Sequence, residues 1–120
     1  MRTLLVSLAL VAAVLAIGVA TSAAVGPQSL TAVVGPAFNI SLKEHGKTVK
    51  VLAPGIYVFV VHDNSNIHNF HLRGPGVNRK TTVAGKGTSS WRLTLRRGTY
   101  RFVCDPHATI MKGKFVVQTP

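Results

Sequence analysis

A chain of 120 residues has room for one domain, and its single cysteine excludes an internal disulfide. Fourteen Lys and Arg against three Asp and Glu give a formal net charge of +11. That balance argues against an acidic docking surface and predicts attraction to anionic partners or surfaces.

Residues 1–24 read separately from the rest. Arg2 supplies a positive start, an apolar run extends from Leu4 to Ala20, and the small residues Thr21, Ser22, Ala23 and Ala24 follow. This is the layout of a cleaved secretory signal. The run also reaches the lower limit for a membrane span, so an uncleaved anchor is the alternative. No cysteine lies in the segment, which excludes a lipid anchor on cysteine at the cleavage site. Export places residues 25–120 outside the cytoplasm, in a periplasm or at a cell surface. Without Arg2 the charge of that part is +10. Nucleic acid is a poor partner for an exported chain whose basic residues are scattered. An anionic cell-envelope surface or an acidic protein fits better.

Beyond the leader no apolar stripe of helical period appears. Short β-type runs are predicted at 29–34, 38–43, 48–52, 55–62, 68–73, 81–84, 89–95, 99–104 and 114–118, separated by Gly, Pro and Asn turns. This is the pattern of an all-β sandwich or barrel. In 89–95, Trp91, Leu93 and Leu95 alternate with Arg92 and Thr94, which places Trp91 in the core. The run 56–61 is apolar on both faces and reads as an interior strand. Gly55-Ile56-Tyr57 resembles Gly98-Thr99-Tyr100, as similar positions in a sandwich would.

A lone cysteine in an exported chain asks for a reason. It can be an inert buried side chain, an intermolecular bridge, a nucleophile or a metal ligand. Cys104 opens the stretch Cys104-Asp105-Pro106-His107-Ala108-Thr109-Ile110-Met111, which places a thiolate, an imidazole and a thioether close together. Alternation along 99–104 turns Cys104 inward with Tyr100 and Phe102. Pro106 stiffens the exit from the strand.

In 68–73, Phe70 and Leu72 mark the core side, so His68 points inward. His71 points outward with Asn69 and Arg73. His45 and His62 read as turn and strand-end residues without a role.

One thiolate, two imidazoles and a weak thioether form a soft donor set that suits copper in both oxidation states. Zinc prefers four good ligands, and methionine is a poor one. A c-type haem needs a pair of cysteines. A Cys–His nucleophile is disfavoured because the small domain leaves little room for a substrate cleft and carries no oxyanion-hole motif, so an enzyme is not expected. His68, Cys104, His107 and Met111 are therefore the candidate metal ligands, for one copper per chain.

Cys-x-Pro-His followed by Met, with an upstream His-Asn, resembles the cupredoxins, particularly the plastocyanin-like and azurin-like proteins of bacteria. The resemblance runs from about Ser29 to the C-terminus. It implies a Greek-key β-sandwich and a blue-copper centre. It also implies one-electron traffic with a redox partner, His107 near the surface where electrons pass, and Asn69 bracing the ligand loop. A monomer that docks an acidic partner follows from the family and the charge together. Copper binding, storage or delivery on the same fold is the alternative, and a basic polyanion-binding module a third. Asp105, a charge beside the thiolate, finds no place in this reading.

Overall fold

The computed structural model describes residues 11–20 and 26–120. The leader reading rests partly on residues 1–10 and 21–25, which lie outside the described residues. Residues 11–20 carry no regular secondary structure, and no helix among the described residues is long and apolar enough to cross a membrane.

Ten strands follow: β1 (Gln28–Val34), β2 (Ile40–Glu44), β3 (Lys47–Thr48), β4 (Val51–Leu52), β5 (Gly55–Asp63), β6 (His71–Gly74), β7 (Val77–Lys80), β8 (Gly87–Leu95), β9 (Gly98–Val103) and β10 (Lys112–Val117). They form two five-stranded sheets, ordered β3-β2-β1-β5-β8 and β4-β10-β9-β6-β7. The chain crosses between sheets repeatedly, the non-local connectivity of a Greek-key sandwich. The fold is thus all-β, as the sequence predicts.

Side-chain alternation drives the sandwich. On β5, Tyr57, Phe59 and Val61 are buried while Val58 and Val60 between them are half-buried. On β8, Trp91 and Leu95 face inward while Arg92 and Thr94 stay exposed. Tyr100 and Phe102 on β9 meet Phe115 and Phe70 in near-parallel stacks, with centroids 5.1 and 5.4 Å apart. Each such side chain contributes about 1.5–3 kcal/mol on leaving water. Strand β5 is interior, paired parallel with β1 and antiparallel with β8. The likeness between 55–57 and 98–100 is structural too: Tyr57 Oη donates to Ala53 O at 2.7 Å, and Tyr100 Oη to Arg96 O at 3.0 Å.

Three strand assignments change. The run 48–52 divides, because β3 pairs with β2 whereas β4 joins the other sheet beside β10. Residues 81–84 are not a strand. Pro75 and Gly76, with Gly76 at φ +70°, make a tight turn that sends the chain straight back as β7. Finally, β6 begins at His71, so His68 lies in the connection from β5.

Strands β1 and β5 run parallel, with Val34 opposite Asp63. Their exits, residues 35–39 and 64–70, therefore gather at one end of the sandwich. The β9–β10 connection, 104–111, meets them there through the contacts of His68 and Phe38 with His107.

Candidate metal centre

Cys104 follows the last residue of β9 and is fully buried. A single 3₁₀ turn, Asp105–His107, then reverses the chain, with Pro106 near its start. Main-chain bonds close the loop on itself: His107 N donates to Cys104 O at 3.0 Å, Met111 N to His107 O at 2.9 Å, and Cys104 N to Met111 O at 3.0 Å. His107 is thereby folded back beside Cys104, and Met111 is carried into the core, fully buried, just before β10.

His68 arrives from the other side. The segment carrying it is held by a relay in which Phe70 N donates to Thr81 Oγ1 at 2.9 Å and Thr81 Oγ1 donates to Asp63 Oδ2 at 3.1 Å. Asp63 also accepts from Ser65 N at 3.2 Å. Burial raises the Asp63 carboxyl above its ordinary value, against the pull of these bonds and of His68. Gly35, at φ +70°, lets the β1–β2 loop pass close to this segment. A Cβ there would stand 2.8 Å from Ser65 Cβ and 3.3 Å from His68 Cδ2.

Three donors converge. His68 Nδ1 and His107 Nδ1 lie 3.0 Å apart, and Cys104 Sγ is 3.6 Å from the first and 3.5 Å from the second. His68 Nε2 is buried without a hydrogen-bond partner, and Nδ1 is the ring nitrogen turned to the other two donors. Two imidazole nitrogens and a thiolate pointed at one space are a donor set that fits copper. His68 and Cys104 are buried, while His107 is partly exposed.

Sequence reasoning brings together His68, Cys104 and His107 and puts Met111 at the loop's end. Asn69 braces the loop: Asp105 N donates to its Oδ1 at 2.8 Å, and its Nδ2 donates to Asp105 Oδ2 at 2.8 Å and to Thr81 O at 3.3 Å.

Two expectations need correction. Asn69 does not go outward but is buried in this network. His71 lies on the side opposite Leu72, as alternation requires, yet is 2% exposed rather than solvated. Its Nδ1 donates to Asp105 Oδ1 at 2.8 Å, Nε2 lies 2.6 Å from Asn78 Oδ1, and Arg73 Nε donates to Nε2 at 3.1 Å. These neighbours cover it. Asp105, unplaced from sequence, is the shared partner of Asn69 and His71. Burial works to raise its carboxyl, but the hydrogen bonds from Asn69 and His71, together with the electrostatic pull of His71 and Lys80, hold it below the ordinary value.

Phe38 was missed altogether. Its ring, 60% exposed, stands edge-on to both His68 and His107, with centroids 5.2 and 4.9 Å away. Only its place after the Gly35-Pro36 turn hinted that it would leave the strand.

A two-sheet β-sandwich with a thiolate and two imidazoles converging at one end defines a cupredoxin. The chain belongs to the plastocyanin/azurin family of copper binding proteins, whose profile matches residues 33–118. Among solved structures it is similar to a methionine-to-glutamine mutant of rusticyanin, at 23% identity and TM-score 0.56 over 75% of this chain and 76% of that one. Reduced rusticyanin matches at 22% and 0.54, over 75% and 78%. Rusticyanin from Thiobacillus ferrooxidans matches at 24% and 0.52, over 75% and 76%. At such identities the likeness establishes the fold. No curated protein sequence matches the chain. Family and donor cluster together are compatible with one copper per chain.

Proposed function

We propose that this protein is an exported blue-copper protein that carries single electrons between redox partners and is not an enzyme. His68, Cys104, His107 and Met111 serve as ligands, Asn69 braces their loop, and the domain 25–120 works as a monomer outside the cytoplasm. The observation that carries this reading is the convergence of His68 Nδ1, His107 Nδ1 and Cys104 Sγ within 3.6 Å of one another.

Bound copper supplies a one-electron couple. The chain's own residues supply rigidity, exclusion of water and a way out. The Asn69–Asp105 bonds and the closed 104–111 loop keep the donors in place, so the site has little freedom to rearrange when the charge changes. Phe70, Phe102 and the other core residues keep the Cys104 side dry. His107, partly exposed beneath Phe38, is the donor nearest solvent and the port for electrons.

The test is to add Cu(II) to the protein and record visible and EPR spectra and a voltammogram. An intense blue thiolate charge-transfer band with a reversible one-electron wave is the expected result. A colourless stoichiometric complex with an unaltered Cys104 thiol would overturn it. Ready transfer of copper to another apo-protein, without a reversible wave, would point to copper handling instead.

A further inference from the structure

The basic residues look scattered along the chain, but strand register gathers several of them. In the second sheet Lys114 on β10 stands directly opposite Arg101 on β9, and Arg101 directly opposite Arg73 on β6. All three are exposed, on the face away from the buried Phe102 and Leu72. Three cations thus form a row across neighbouring strands, about 4.8 Å apart. The next row of the same face begins with Lys112 and ends with Lys80, passing through Val103 and His71.

Like charges placed directly opposite one another destabilise a sheet. Among the described residues no carboxylate pairs directly with this row. Of the three acidic residues, Glu44 is on β2 in the other sheet. Asp63 is buried on β5. Asp105 has both carboxylate oxygens engaged by Asn69 and His71. Arg73 is held over the face by its bond to His71. Beside it lies an open groove of about 330 Å³ lined by His71, Arg73, Gly74, Thr99, Arg101 and Val103.

We propose that the outer face of the β10-β9-β6 strands is the docking surface for an acidic redox partner protein, its carboxylates seated along the row Lys114–Arg101–Arg73. This rests on the electron-carrier reading above and gives it a second face, distinct from the His107 edge. Charge complementarity defines the occupant's sign. The Cβ atoms of acidic residues at i and i+4 of a helix lie about 5–6 Å apart, close to the pitch of the row. Two features favour a protein over a lipid surface. Strands β6, β7, β9 and β10 expose no large apolar side chain to enter a bilayer. And Val103, on this face, directly precedes Cys104, so a redox centre seated here is one residue from the thiolate.

The experiment compares two variants of equal charge. Arg101→Gln with Lys114→Gln removes two cations from the row; Lys43→Gln with Arg92→Gln removes two exposed cations from the other sheet. Each is titrated, with and without copper, against a fluorescein-labelled helical peptide carrying glutamates at i and i+4, at low and high salt. Thermal unfolding confirms that each variant is folded, and Lys114→Gln alone serves if the first pair is not. The row variant should weaken peptide binding about ten-fold, and the control about two-fold or less, with the difference vanishing at high salt. Equal losses in both, or no salt-sensitive binding to the unaltered protein, would overturn the proposal. So would tighter binding to phosphatidylserine vesicles than to the peptide, lost on the same substitutions. Because the titration is also read without copper, failure of the docking face and failure of the blue-copper reading give different results.

Discussion

Asn69 and Asp105 hold one another through two hydrogen bonds of 2.8 Å, one from the Asp105 main-chain N–H and one to its carboxylate. The residue after each of two candidate ligands, His68 and Cys104, is thereby tied to the other. His71 adds a third bond, to the remaining Asp105 oxygen. The donor cluster is set by this cross-tie and by the closed loop, before any metal is considered.

The tie has a pH signature. The Asp105 carboxyl is held below its ordinary value, so its ionised form stabilises the folded state. That stability is present above the ordinary carboxylate value of about 3.9 and is lost as pH falls through the lower folded value. Asp105→Asn should remove this acid-side loss and cost about 1 kcal/mol at neutral pH, a modest figure because the side chain is 36% exposed. Urea midpoints of the metal-free protein across an acid-to-neutral series check this. A midpoint difference that does not change with pH would refute it.

Cys104→Ser should abolish the blue band, because the band requires sulfur donation to copper. His71→Ala should keep the band and lower stability by about 1 kcal/mol, since it strips partners from the partly exposed Asp105 and Asn78. Spectra and denaturation of both variants decide the matter. Bleaching on loss of His71 but not of His68 would reverse their assignment.

Gly35→Ala should perturb the centre through His68. The new Cβ would collide with Ser65 and press on the imidazole, at a φ of +70° that disfavours a side chain. A loss of about 1–3 kcal/mol is expected, with changed EPR parameters. Gly46→Ala is the control: its φ is +76° but a Cβ there meets nothing within 4 Å, so the spectra should not move. Identical spectra for both variants would exclude the Gly35–His68 contact as a constraint on the site.

Phe38 and Met111 should act on the reduction potential in opposite directions. Phe38→Ala uncovers both imidazoles to water, which favours the more highly charged oxidised site, so the potential should fall. Met111→Leu removes the proposed thioether donor, so the potential should rise. Voltammetry of the two variants in one buffer is the check, and shifts of the same sign would contradict one of the two roles.

What the sequence determined by itself was local. Period-two alternation marked Trp91, Tyr100 and Phe102 as core and carried Cys104 inward. The short spacing of Cys104, His107 and Met111 required them to share one loop, and donor chemistry then pointed to copper. His68 was reached by the right face argument applied to the wrong element, since it lies in a connection and is positioned by the Thr81–Asp63 relay. Tertiary structure decided everything that depends on partners distant in the chain. The division of 48–52 follows from pairing with β2 in one sheet and β10 in the other, whereas the burial of His71 under Asp105, Asn78 and Arg73 and the placing of Phe38 over two histidines follow from which loops gather at one end. The alignment of Lys114, Arg101 and Arg73 follows from strand register. Register is a relation between strands, fixed by how the whole sandwich packs, and no periodicity within a single strand records it.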